Sequence, residues 1–259
     1  MLNRYPMRFL MTIGIVILII LGMSDSIPQD TSYHQFADTR TVYHISNFWN
    51  VVSNMPFLFV GLYALNKIFR LKTMVYDSQI QVAYMVLFLG VSFVSFGSGY
   101  YHLNPNNITL IWDRLPMAIA FMALFSIVIS EFIGLNEGKN LLYPLLILGI
   151  TSVIYWVYTE SIGQGDLRLY LFVQFFPMLV IPILLTYFTS TFTLHYGYWY
   201  LLLCYVFAKV FEYYDKAIYE SLGFISGHSL KHMIAALGLF VLVSTFTNRN
   251  RKKLIIRGE

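Results

Sequence analysis

The chain has 259 residues and a formal charge of +4, with 12% Asp, Glu, Lys and Arg against 58% hydrophobic residues. Soluble domains carry about 25% charge, so an ordinary soluble enzyme is excluded, and so is disorder, because a chain this apolar collapses. One cysteine, Cys204, excludes a disulfide framework and a cysteine-based zinc site.

A membrane-crossing helix needs about 20 apolar residues to traverse roughly 30 Å of hydrocarbon. Eight stretches approach or meet this, at 9–23, 48–66, 80–101, 111–130, 141–158, 169–187, 198–214 and 228–247. The expected fold is all-α, a polytopic helical bundle in a membrane. In the first stretch Arg4 and Arg8 precede an apolar run with no small-x-small cleavage site after it, which reads as an uncleaved anchor. Pro56, Pro116, Pro177 and Pro182 fall in or near spans, where helix bundles tolerate them. The only long polar loop is 24–47.

Lys and Arg set the direction of insertion. With the N-terminus inside, Arg4, Arg8, Lys67, Arg70, Lys72, Lys139, Arg249, Arg251, Lys252, Lys253 and Arg257 face the cytoplasm, 11 in all, against 3 outside, Arg40, Arg168 and Lys216. Both termini are therefore expected in the cytoplasm, with loop 24–47 on the opposite side. The basic tail suits anionic lipid or retention of topology equally. Beyond it nothing points to nucleic acid, and no obligate protein partner is expected.

Against this apolar background a few ionisable residues stand out. His102 ends the third span, Asp113 begins the fourth, and His228 and His232 begin the eighth. The charge count puts all four on the non-cytoplasmic side. Charge at that depth is costly unless paired, hydrated or metal-bound. His228 and His232 are one helical turn apart and suit a single metal ion, with His102 as a third ligand and a position left for water, as in catalytic zinc. Two other readings stand beside it. Interfacial histidines also hydrogen-bond at helix ends, and histidines on facing membrane helices serve as haem ligands. The haem reading leaves Asp113 and Ser98 without roles. Asp113 also reads as an ion pair with Arg114, and Ser98, between Gly97 and Gly99, as a small packing residue. Lys209 and Glu212 read as a structural pair, and Glu160, Asp166 and Arg168 as solvated loop charges. Asp30, Asp38 and Asn47 offer oxygens to a hard cation such as calcium.

The same residues carry a resemblance. Phe48-Trp49-Asn50-Val51-Val52-Ser53-Asn54, Gly97-Ser98-Gly99-Tyr100-Tyr101-His102, Asp113-Arg114-Leu115-Pro116-Met117 and His228-Ser229-Leu230-Lys231-His232 resemble the motifs of the alkaline ceramidase family, in the superfamily that includes adiponectin-type receptors. The likeness runs from about 30 to 245 and is nearest to the bacterial-type branch, through Ile27-Pro28-Gln29-Asp30 and Phe36-Ala37-Asp38-Thr39-Arg40.

The resemblance implies a seven-helix core over 48–248, preceded by an anchor helix (1–25) and a non-cytoplasmic loop (26–47) and followed by a basic tail (249–259). It implies that His102, His228 and His232 ligate zinc, with Ser98 and Asp113 as catalytic residues beside it. The implied reaction is hydrolysis of a long-chain lipid amide, ceramide or a ceramide-like membrane lipid. The alternative is a receptor-like or scaffold protein with structural zinc. Two positions depart from the family pattern. Arg114 stands where the motif has Glu, and Asn47 stands where animal members have an acidic residue of their calcium site.

Overall fold

The structure is a computed structural model that describes residues 6–252. Arg4, Lys253 and Arg257 of the charge count lie outside the described residues. Ten α-helices follow in order: α1 (Pro6–Met23), α2 (Phe48–Val52), α3 (Met55–Phe69), α4 (Gln81–Leu103), α5 (Asn107–Phe132), α6 (Leu135–Ser161), α7 (Arg168–Tyr187), α8 (Tyr196–Tyr213), α9 (Asp215–Leu222) and α10 (Gly227–Asn248). Among the described residues there is no sheet, only the isolated bridges Val42–Ile45 and Phe192–Arg251. Seven segments are long and apolar enough to cross a membrane: α1, α2 with α3, α4, α5, α6, α7 and α10.

The helix α8 is the remaining expected span. It has 18 residues, like α1, but carries five tyrosines together with Lys209 and Glu212. Its ends nevertheless meet opposite ends of α10. Just before α8, Phe192 bridges Arg251 and Thr193 N–H donates to the Asn250 carbonyl, past the end of α10. Just after α8, the Asp215 carboxylate accepts from His228 N–H at the start of α10. The two helices therefore run antiparallel along their full lengths.

The bundle builds from neighbours in sequence. The helix α4 packs between α3 and α5, α5 meets α6 and α7, and α10 closes on α3 and α8. The long helix α1 stands outside, against α7 alone among the longer helices, with its Gly14 under Phe176. Without a hydrophobic drive between helices in lipid, association rests on close packing and internal polar bonds. Gly97 shows this: a Cβ there would lie 1.9 Å from the Trp112 carbonyl oxygen, so only glycine lets α4 and α5 touch at that level.

The second expected span is broken. The helices α2 and α3 meet at the turn Ser53–Asn54, with Pro56 in the first turn of α3, where a missing N–H costs nothing. Ahead of the break, Tyr43, His44 and Asn47 hold left-handed backbone. The short helix α9, after α8, was not anticipated because its eight residues carry no net apolar character.

A polar lock holds the end of the bundle where α10 finishes. Glu131, from the end of α5, is 3% exposed and accepts from the hydroxyls of Tyr84 and Tyr198 and from Arg249, which approaches to 2.8 Å. Arg249, read above as a tail charge, is instead 2% exposed and stacked on Phe192 and Phe246. An ion pair this deep persists because further hydrogen bonds satisfy both partners.

At the other end the loops are largely exposed, but their charged side chains are paired. Asp166 pairs with Arg168 at 2.8 Å, and Arg168 also donates to the carbonyls of Leu21 and Ser24, tying the end of α1 to α7. Glu160 accepts from Trp156 Nε1, Asn107 and the Gln29 N–H. The sequence reading of these residues as solvated therefore fails. They face loop 24–47, which folds back over the bundle.

Candidate metal centre

The metal-ligating side chains come from the last turn of α4 and the first two turns of α10. Asn106 starts α5 with a capping box, its side chain accepting from the N–H groups of Ile108 and Thr109, and this turns the chain sharply after His102. Ser226 caps α10 by accepting from Ser229 N–H, which fixes the register of His228 and His232.

The three imidazoles meet. His102, His228 and His232 are all buried, and one ring nitrogen from each lies within 4.8 Å of the other two. Their centroids form a nearly equilateral triangle with sides of 4.8, 5.0 and 4.9 Å. Among the described residues they are the only group of three or more His, Cys, Asp or Glu able to share an ion.

The spacing of one pair fits zinc. Two nitrogens bound at about 2.0–2.1 Å to a tetrahedral ion stand about 3.3–3.4 Å apart. His102 Nε2 and His228 Nε2 are 3.3 Å apart. The third ring is held by Ser53, whose Oγ lies 2.8 Å from His232 Nδ1 and donates its own proton to the Asn50 carbonyl. Phe36, from the loop, lies over His102 and His228 with centroids at 4.7 and 4.6 Å, sealing their outer side. Three neutral nitrogen donors in a buried site, one with its other nitrogen engaged, are the donor set such a metal needs.

The expected catalytic residues stand beside a cavity of about 510 Å³, lined by Ser98, Asp113 and His232 at one end and by Leu87, Val91, Leu124 and Leu239 beyond them. Ser98 and Asp113 line the same cavity, and both are at most 8% exposed. Gly97 makes this possible, because it lets the backbone before Asp113 press against α4. Asp113 makes no ion pair with Arg114, the alternative the sequence left open. Arg114 donates instead to Gln29 and stacks on Trp156 and Tyr170. Lys209 does pair with Glu212, at 2.7 Å, and Lys231 joins them at 2.8 Å.

The residues read as cation ligands in the loop have separate partners. Asp38 receives Arg40 at 2.6 Å, Asp30 caps the turn Thr31–His34 through Ser32 N–H, and Asn47 donates to the His102 carbonyl at 2.8 Å. Sequence reasoning missed several supports of the site. Asn50 accepts from Ser229 at 3.0 Å and donates to the Asp38 carbonyl. Asp215 takes both the His228 and Ala37 N–H groups. Phe36 and Ser53 had been quoted only as parts of motifs.

No protein-family model matches the chain, and no curated protein matches it either. The geometry therefore carries the reading: an all-α membrane-type bundle with a buried three-histidine cluster able to chelate a metal ion.

Proposed function

We propose that the protein is a zinc-dependent intramembrane hydrolase of the alkaline ceramidase type, acting on a long-chain lipid amide. The supporting observation is a buried cluster of three imidazoles, one of which, His232, lines a largely apolar cavity together with Asp113 and Ser98. His102, His228 and His232 would hold the ion. Bound there, zinc supplies Lewis acidity and makes water a competent nucleophile near neutral pH.

The protein's own residues do the rest. The apolar walls of the cavity hold the acyl chain. The helix α8 packs mainly on α10 and meets α7 more sparsely, so a lipid tail would enter between α7 and α8. Asp113 takes a proton from the attacking water and passes it to the amide nitrogen as the carbon–nitrogen bond breaks, giving a carboxylic acid and an amine. The Ser98 hydroxyl donates to the oxyanion that develops on the carbonyl oxygen. Phe36 and the loop around it keep bulk water from the imidazoles.

The distribution of Lys and Arg supports a site on the non-cytoplasmic side with both termini inside. The grouping of loops agrees with it: 24–47, 162–167 and the start of α10 are bonded to one another, and the segments near 75, 131, 191 and 250 form the opposite end.

The test is direct. Purified zinc-replete protein in detergent is given ceramide and other N-acyl lipids, and released fatty acid is measured. Protein with one zinc per chain that releases no acid from any of them overturns the hydrolase reading.

A further inference from the structure

Arg114 is 6% exposed and lines the cavity next to Asp113. The faces of its guanidinium are covered, by Trp156 with the centroid at 4.2 Å and by Tyr170 at 4.7 Å. One edge nitrogen, Nη2, donates to the Gln29 side-chain oxygen, while the other, Nη1, is buried with no hydrogen-bond partner.

The nearby carboxylates do not complete it. Asp113 lies close enough to feel its charge but forms no ion pair with it. Glu212 is shared by Lys209 and Lys231. Glu160 is spent on Trp156, Asn107 and Gln29. A buried cation held flat by aromatic faces, with an unused edge, is set up for one interaction above others. Carboxylates and phosphates bind a guanidinium in its plane, through two parallel N–H donors.

Resting on the hydrolase reading above, we infer that the substrate is an N-acylated amine carrying an oxyacid group, carboxylate or phosphate, on its amine side, and that Arg114 is the residue that positions it. Direction follows from the lining. Gln29 and Tyr33 place Arg114 toward loop 24–47, whereas Leu87, Val91 and Leu124 lead away from it. The acyl chain takes the apolar part, so the acid belongs to the leaving amine. Asp113 and Arg114 are consecutive on α5, about 100° apart around the helix. Both side chains line the same cavity, so the acid sits on the part of the substrate that carries the amide nitrogen. Neutral ceramide lacks such a group.

The test compares matched ligands by calorimetric titration in a neutral detergent: N-dodecanoylglycine against N-dodecanoylglycinamide, and phosphorylated against free N-dodecanoylethanolamine. The protein is the zinc-loaded full chain with Asp113→Asn, so that ligands stay intact. At least one anionic member is expected to bind about tenfold or more tightly than its neutral twin, the scale of one charge-assisted pair, and the preferred twin pair tells carboxylate from phosphate. Arg114→Gln should erase the difference, and Arg114→Lys should restore part of it.

Equal binding of charged and neutral twins overturns the inference whether or not the variants fold. A preference that survives Arg114→Gln overturns the assignment to Arg114. The two proposals fail separately. Anion preference without turnover of any ligand by the wild-type zinc protein removes the hydrolase reading alone. Turnover without anion preference removes this one alone.

Discussion

Ser53 Oγ sits 2.8 Å from His232 Nδ1 and gives its own proton to the Asn50 carbonyl 3.2 Å away. With the hydroxyl proton on that carbonyl, the oxygen acts toward the imidazole as an acceptor, which is the tautomer with the proton on Nδ1 and a lone pair on Nε2. Ser53 lies in the break between α2 and α3, a rigid point with Asn50 and Asn54 buried beside it. The arrangement holds the His232 ring in place within the three-histidine cluster.

Ser53→Ala should therefore weaken zinc without unfolding the protein. Loss of a partner that orients a ligating histidine typically lowers metal affinity by about 10–100-fold. His228→Ala, by contrast, should lose most zinc and some stability, because metal binding is coupled to folding. Competition with a chelator of known affinity, followed by elemental analysis, measures both. Wild-type affinity in Ser53→Ala protein would mean that the hydroxyl does not set the tautomer.

Much of this was legible in the sequence. Apolar length gave seven of the eight expected spans as segments able to cross a membrane, and the one-turn spacing of His228 and His232 gave two members of the three-histidine cluster. The supports were not, because they depend on where loop 24–47 folds. Phe36 covers two imidazoles, and Asp215 gathers the N–H groups of Ala37 and His228 across 178 and 13 positions in the chain. No local pattern announces such contacts. Arg114 misled for a related reason: adjacency to Asp113 suggested a pair, but successive helical residues point apart, and Gln29 and Trp156 arrive from distant segments.

Gly97 offers a test of helix contact. An added methyl group would meet the Trp112 carbonyl oxygen at 1.9 Å, and neither backbone can yield cheaply. Gly97→Ala should cost about 1–3 kcal/mol as overpacking does. It should also push Asp113 away from Ser98, and a shift of about 1 Å near reacting groups costs about 10²-fold in rate. Thermal unfolding and turnover of the best lipid amide read the two effects. Normal stability and rate would show that α4 and α5 can slide without consequence.

The Lys and Arg count and the loop grouping together predict sidedness. In a Cys204→Ser background, cysteines introduced at the exposed positions Tyr43 and Lys252 should react with an impermeant thiol reagent from opposite faces of sealed vesicles. Labelling of both from one face contradicts an even number of crossings between a cytoplasmic N-terminus and position 252.

Acid should leave the Asp166–Arg168 clamp intact over most of its range. Burial disfavours the ionised carboxylate, but hydrogen bonds from Arg168 and Tyr155 more than offset this and hold its pKa down at about 2. A depressed pKa in the folded state adds stability above the unfolded value of about 3.9, and that stability is lost as pH falls through the folded value. Hydrogen exchange at Ser24, whose N–H is bonded within the end of α1 and whose carbonyl takes Arg168, should therefore stay unchanged at pH 4 after correction for intrinsic rates and rise only near pH 2. Asp166→Asn should show fast exchange at neutral pH. Opening of the wild-type segment already at pH 4 would place its control elsewhere.

Asp113 separates a catalytic metal from a structural one. It lines the cavity with His232 and Ser98 and lies outside the three-histidine cluster. On the hydrolase reading, a residue in that position would be dispensable for holding zinc and necessary for moving a proton. Asp113→Asn should keep zinc at one per chain and a near wild-type melting temperature, while kcat falls by roughly 10² or more, the scale of a lost general base. The competing account makes Asp113 a counter-charge for Arg114. That account is weakened by the absence of an ion pair between them and by the contacts Arg114 makes to Gln29, Trp156 and Tyr170. It predicts a different outcome: a lower melting temperature, with the remaining activity proportional to the folded protein. Measuring zinc content, melting temperature and rate on one preparation distinguishes the two. A near wild-type rate per bound zinc in Asp113→Asn would remove Asp113 from the chemistry and leave the cluster as a structural site.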